Sequence, residues 1–307
     1  MSHADIPTFR PLPGIYEPSA IQQLPDGRFL VVEDEEDHPL SLVTIDADDT
    51  VETAALTAGL LQMFSSFWKL DDLEGLTADR SGWVYAITSH SRDDDGDRKE
   101  SRENLVRFRV DGDRVADPRV VDGLRHALTT RHAVLAAAAK IRDVKGSGGL
   151  NIEGLELSAD QQRLWIGFRS PLHDGRALIA CVENPRAVFE LDEAPRIAPR
   201  LVELDLGGHG IRGLCYVPAL GEYLVIGGPT SREPAVFDLW RWSGEPGAPA
   251  RRVAVPGLEG FEKAEGVCAA RVGGADRIMV VSDDGNRKAG RSASYLLLDP
   301  AQLRTAG

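Results

Sequence analysis

The stretch "GGLNIEGLELSADQQRLWIGFRS", residues 148–170, decides how the chain folds. An acidic residue and a glycine open an apolar run, a polar turn follows, and a β-rich run closes on polar residues. That is the signature of two strands joined by a tight turn. The pattern returns as "EPSAIQQLPDGRFLVVED" from Glu17, "EGLTADRSGWVYAITSH" from Glu74, "RGLCYVPALGEYLVIGGP" from Arg212 and "EGVCAARVGGADRIMVVSDD" from Glu265.

A third strand follows each unit, at 40–46, 104–112, 177–184, 237–244 and 294–300, and short runs at 199–206 and 250–257 supply a fourth. Antiparallel four-stranded units repeating every 53–59 residues, with one gap of 79, predict an all-β fold: a β-propeller. Five blades match the repeat count, and six is the alternative if the long gap hides a degenerate blade. A sandwich does not predict repeats of this length. The chain is read as one propeller domain, 1–307. The gap holds a helical insertion near 123–140, rich in Leu and Ala and ending before the "KGSGG" of 145–149.

Composition limits the partners. With 35 Lys plus Arg against 48 Asp plus Glu, the net charge of −13 repels nucleic acid and anionic membrane surfaces. No run resembles a signal peptide or a membrane span, so the expectation is a soluble, cytoplasmic protein. Cys181, Cys215 and Cys268 are too few and too widely spaced for a disulfide framework, and buried thiols are expected.

In each unit the start of strand one and the end of strand two lie on the same face of the disc. If strand one is innermost, Glu17, Glu74, Glu153, Arg212 and Glu265 ring the mouth of the central channel. The residues closing strand two, among them Asp34, His90, Arg169, Asp283 and Asp284, stand just outside. Side chains two positions earlier add Asp72, Asn151 and Lys263. Crowded carboxylates require compensation, either from Arg169, Arg212 and Lys263 or from a hard cation such as Ca²⁺ bound through oxygen. A carboxylate in nearly every blade points first to an architectural device. The asymmetric residues point to function: Arg169 and Arg212 for an anionic ligand, His90 with Glu153 for proton handling as the catalytic candidates. Asn151, Glu74, Glu265, Asp34 and Asp284 complete the expected ligand-binding set.

Other patterns lead away from chemistry. Placing Gly96 of "SRDDDGDRKESREN" at the sixth position of a calcium loop puts Arg102 where a bidentate Glu is needed, so it reads as a mobile loop over the mouth. "GGLNIEG" and "GGHGIRG" lack the strand–helix context of a dinucleotide site, and no nucleotide cofactor is expected. His126 and His132 lie six apart, not on one helix face, and His209 reads as a turn residue.

"LEGLTADRSGWVYAITSHS", "GLNIEGLELSADQQRLWIGFRSPLHDGRALIACVEN" and "GIRGLCYVPALGEYLVIGGPTS" resemble, in order and spacing, the bacterial family of unknown function numbered thirty-six sixteen, over about residues 15–300. The resemblance implies a β-propeller with no established activity. The family's recurring motifs fall on His90, Asn151, Glu153, Arg169 and Arg212. More distantly, the Glu-Gly openings look like those of calcium-dependent lactonases and esterase-like phytases. The lactonase likeness implies a metal set of Glu17, Asn151 and Asp283, with a calcium or other divalent ion as cofactor. "YEPSAIQQL" departs from the pattern with Pro in place of Gly, and the fourth unit carries Arg in place of Glu.

Two functions follow as expectations. The first is a site for a small, anionic molecule at the channel mouth, with metal-assisted hydrolysis as its chemistry. The alternative is a non-enzymatic binding or protein-interaction module whose Glu/Arg ring only stabilises the blades.

Overall fold

A computed structural model describes residues 6–33, 39–46, 50–58, 66–143, 148–231, 236–261 and 263–306. The first strand, β1 (Arg10–Leu12), belongs to the last blade. Blade 1 comprises β2 (Pro18–Gln23), β3 (Phe29–Glu33), β4 (Leu40–Ile45) and β5 (Val51–Ala55). Blade 2 comprises β6 (Leu73–Ala78), β7 (Val84–Thr88), β8 (Leu105–Asp111) and β9 (Arg114–Val121). Blade 3 comprises β10 (Asn151–Leu157), β11 (Leu164–Ser170), β12 (Ala177–Val182) and β13 (Val202–Leu204).

Blade 4 comprises β14 (Gly210–Val217), β15 (Glu222–Gly228), β16 (Asp238–Trp242) and β17 (Arg251–Ala254). Blade 5 comprises β18 (Ala264–Val272), β19 (Ala275–Ser282) and β20 (Ala293–Leu298). The fourth strand of blade 5 is β1, paired antiparallel with β20 from Arg10↔Tyr295 to Leu12↔Ala293. The end of the chain adds β21 (Arg304–Thr305) outside β17 as a fifth strand of blade 4. The fold is thus a five-bladed propeller of antiparallel blades, closed where the start of the chain completes the last blade.

First strands are innermost, and β2, β6, β10, β14 and β18 pack side by side in a closed ring. Blades packed on both faces bury both faces of their strands: every residue of β3, β7, β10 and β12 is buried. Glycine after the ring residue permits this approach. A Cβ on Gly75 would stand 2.8 Å from Leu155 Cβ of the next blade, and one on Gly213 would stand 2.6 Å from the Glu265 carbonyl oxygen. The helical insertion is two short helices, α1 (Leu124–Arg131) and α2 (Ala133–Ala138), broken where His132 adopts an extended conformation. They pack Leu124, Leu128 and Leu135 into the core shared by blades 2 and 3. A third helix, α3 (Pro185–Glu190), follows β12. All three cysteines are buried free thiols. Among the described residues no helix is long and apolar enough to cross a membrane.

Candidate functional site

The same irregularity recurs in all five blades. In the pairing of first and second strands, Leu73 faces Thr88 and Gly75 faces Ile87, so Glu74 is an extra residue that the register skips. Glu153, Arg212, Glu265 and Ser19 are skipped in the same way. A β-bulge re-aims the side chain it carries, and here five bulges turn five side chains toward the axis. Blade 3 has a second skip, at Arg169 between Phe168 and Ser170, which explains why this blade alone sends an arginine from its second strand.

The bulges correct the sequence register in blade 1. The residue equivalent to Glu74 is Ser19, not Glu17, and Ala20 stands where the other blades have glycine. The inner ring therefore holds three carboxylates, one guanidinium and one hydroxyl. Glu17 lies two residues earlier, at the level of Asp72, Asn151 and Lys263. "EPSAI" mimics the "EGL" motif only because an acidic residue happens to precede proline.

Above the ring opens a cavity of about 390 Å³, lined almost entirely by polar side chains, nine carboxylic and five arginine among them. On its floor Arg212 lies between Glu153 and Glu265: its Nε is 2.8 Å from Glu153 Oε2 and donates to Glu265 Oε2 at 3.0 Å, while Nη2 binds Glu265 Oε1. Arg169 Nη1 donates to Glu153 Oε1 at 3.1 Å and its Nε to the Pro229 carbonyl at 3.2 Å. Asn151 Nδ2 donates to Glu153 Oε1 at 3.1 Å. Burial works against the Arg212 charge, but Glu153, Glu265 and Glu74 outweigh it and hold its pKa above the ordinary value. Burial pushes the Glu265 carboxyl above the usual carboxylate range, and Arg212 opposes that shift. Burial likewise raises Asp283 to about 6, with Lys263 opposing and Glu17 adding to the rise. Asp283 is thus a cavity carboxyl able to exchange a proton near neutral pH.

Among the described residues, four buried polar atoms on the lining side chains make no hydrogen bond: Asn151 Oδ1, Arg212 Nη1, Arg92 Nε and Glu153 Oε2, the last ion-paired 2.8 Å from Arg212 Nε. Asn151 Oδ1 and Arg212 Nη1 are buried without a hydrogen bond, on side chains only 6% and 7% exposed. Both side chains flank Glu153.

Of the residues expected at the site, Glu17, Glu74, Asn151, Glu153, Arg169, Arg212, Glu265 and Asp283 line the cavity. Asp34 lies outside the described residues. Asp284 faces elsewhere, its carboxylate accepting from Ser294 N and Oγ at 2.8 Å each, which braces β20. His90 is not brought to the mouth. Its backbone turns into the left-handed region (φ 56°) and the ring is fully buried, with Nδ1 2.9 Å from the Thr88 carbonyl and Nε2 without a partner. Burial pushes its pKa down to about 4. The neighbouring Ser89 is buried too, its hydroxyl bonding Asp72, and it is Ser91 that reaches the cavity. His209 sits away from the cavity, 3.9 Å from Asp238.

The 91–104 loop does lie over the mouth. Ser91, Arg92, Asp93 and Asp94 roof the cavity together with Arg142 and Asp143 from the end of the helical insertion. The roof is tied down: Arg92 donates to the Gly96 and Ala139 carbonyls, Arg142 to the Asp95 carbonyl and Asp97, and Asp93 accepts from Asp95 N and Asp97 N. The contribution of Arg142 and Asp143 had no signal in the sequence, because it depends on how the insertion docks.

The metal set implied by the lactonase likeness lines one cavity, and Asn151 Oδ1 is an orphan acceptor there. Among the described residues, however, no three His, Cys, Asp or Glu side chains are grouped to hold an ion. Two carboxylates and one amide oxygen would leave the rest of the six to eight oxygens calcium takes to water.

A family model described as "Protein of unknown function (DUF3616)" matches residues 135–299. No curated protein matches. Among solved structures, the chain is similar to RS223-Beta-xylosidase at 12% identity and a TM-score of 0.52, covering 97% of this chain and 98% of that one. The periplasmic gluconolactonase PpgL of Pseudomonas aeruginosa aligns at 12% identity and a TM-score of 0.41, over 94% of this chain and 72% of that one. The Cps50 (Swd1) β-propeller domain of Myceliophteria thermophila aligns at 12% identity and a TM-score of 0.36, over 88% of this chain; this chain spans 65% of its length. At these identities the likeness is one of fold.

Proposed function

We propose a function from the geometry of the cavity, because the chain belongs to the DUF3616 family of proteins of unknown function, which lends it no activity. The channel mouth is a binding site for a small, hydroxyl-bearing molecule that is not an anion. One observation carries this reading: Asn151 and Arg212 both line one cavity around Glu153, and Asn151 Oδ1, an acceptor, and Arg212 Nη1, a donor, make no hydrogen bond among the described residues. A hydroxyl both donates and accepts, so one such group answers both needs. Leaving each buried and unpaired costs about 1–3 kcal/mol, which a purely structural ring has no reason to bear.

The charge balance argues against the anionic ligand expected from the two arginines. Arg212 is held by Glu153 and Glu265, and Arg169 by Glu153, so neither is free to neutralise an incoming anion. The surplus of carboxylates in the lining repels one. The architectural reading retains a place beside this one: the Glu153–Arg212–Glu265 bridge clamps blades 3, 4 and 5 whether or not a ligand is bound.

The test is ligand-binding calorimetry with sorbitol, inositol, citrate and phosphate. Melting shifts do not serve, because polyols stabilise most proteins by exclusion from the surface. Saturable heats with a polyol, abolished in Asn151→Ala, support the reading. Binding of citrate or phosphate with no polyol response overturns it.

A further inference from the structure

The wall between blades 5 and 1 differs from the arginine-rich floor. Glu17 and Asp283 both line the cavity, and neither side chain makes a hydrogen bond or ion pair among the described residues. The cavity's arginines are engaged elsewhere: Arg212 and Arg169 on the floor, Arg102 with Asp71 and Asp72, Arg142 with Asp97 and Arg92 with main-chain carbonyls. Lys263, from the same end of blade 5, influences Asp283 but lines a separate groove and forms no ion pair with it. Two carboxylates that repel one another therefore face the space above Arg212 with no cation between them among the described residues.

Acidic residues alone would mean little, since solvated carboxylates are common. Here they share a cavity with the buried, unpartnered Asn151 oxygen, and both features require donors from the occupant. Resting on the hydroxyl-site reading, we propose that the ligand is a hydroxylated organic amine, its ammonium seated between Glu17 and Asp283 and a hydroxyl bridging Asn151 and Arg212. An ammonium carries three N–H donors and no acceptor, which suits a wall that offers only acceptors. A calcium ion would need several waters to complete its six to eight oxygens at this wall, whereas an ammonium is satisfied by a few acceptors. A cavity of about 390 Å³ accommodates a molecule the size of a monosaccharide or amino alcohol, so one ligand reaches both walls.

The experiment compares glucamine with sorbitol, its neutral counterpart with a hydroxyl in place of the ammonium, by calorimetry on the full chain at pH 7 and low salt. Glucamine is expected to bind about tenfold tighter, and the advantage to shrink as salt is added. In the Glu17→Gln/Asp283→Asn double variant the ratio falls to about threefold or less; removing two mutually repelling carboxylates leaves the fold intact, which its melting curve verifies. Equal affinity for the two ligands overturns the amine assignment while the hydroxyl site stands. Calcium binding at micromolar levels without preference for glucamine also overturns it, giving the wall to a metal ion. Failure of both sorbitol and glucamine removes this inference and the hydroxyl site together.

Discussion

Replacing Arg212 by methionine keeps most of the side chain's length and removes its charge from between Glu153 and Glu265. Both carboxylates are then buried on the channel floor without their main counter-charge, Glu153 keeping Arg169 and Asn151, Glu265 keeping nothing comparable. Removing one partner of a buried ion pair costs about 3–5 kcal/mol, and Arg212 is 7% exposed, so solvent screening relieves little of it. At about 2–4 °C per kcal/mol, the melting temperature falls by roughly 10 °C at pH 8. The loss depends on pH with a definite sign. Glu265 already has a raised pKa, and losing Arg212 raises it further. A carboxyl whose folded pKa exceeds its unfolded one contributes stability fully present below the unfolded value and lost as pH rises through the folded one. The deficit of Arg212→Met is therefore largest at pH 8 and shrinks toward pH 5, where the carboxyl takes a proton. Adding Glu265→Gln recovers part of the loss at pH 8. Differential scanning calorimetry at both pH values is the assay. A drop below about 2 °C, or the same drop at pH 5 and pH 8, refutes the view of Arg212 as the clamp of the ring.

Glu156, fully buried beneath the ring, accepts from Thr77 Oγ1, Leu157 N and Tyr216 N, and burial raises its carboxyl to about 7. Stability is accordingly lost as pH rises from the unfolded value near 4.5 through 7, by up to roughly 3 kcal/mol, and Glu156→Gln flattens that slope in denaturant titrations at pH 5 and 8. Gly75→Ala forces a methyl against Leu155 and lowers stability by about 1–3 kcal/mol in urea unfolding. Leu12→Ala, in the fully buried end of the strand that closes the ring, costs about 2–5 kcal/mol, and an equal melting temperature would show that blade 5 does not depend on β1.

The blade plan was legible because the repeat is written in residue types. "NIEGLELSADQQRLWIGF" carries the ring residue, the close-approach glycine, the turn and the second strand in one line. Blade 5 was legible only in three of its strands, since its fourth comes from the other end of the chain as "RPL". At the site, strand parity located Asn151, Glu153, Arg212 and Glu265 but could not see the bulges. A bulge adds one residue to one strand and leaves no mark in composition, so strand parity alone assigns Glu17 to the ring position that Ser19 holds. His90 escapes strand parity for a related reason: its backbone is in the left-handed region and its ring is buried, while Ser91 reaches the cavity. Which arginines are held in ion pairs depends on distances across blades, and that is why the proposed ligand differs in charge from the anion the sequence suggests.

A crystal structure of the protein soaked with sorbitol tests the central claim most directly. The account predicts ligand density above the channel floor, with one hydroxyl within hydrogen-bond distance of both Asn151 Oδ1 and Arg212 Nη1. Sorbitol absent from the mouth, with those two atoms paired to each other or to a neighbouring blade, would contradict it and leave the ring as architecture alone.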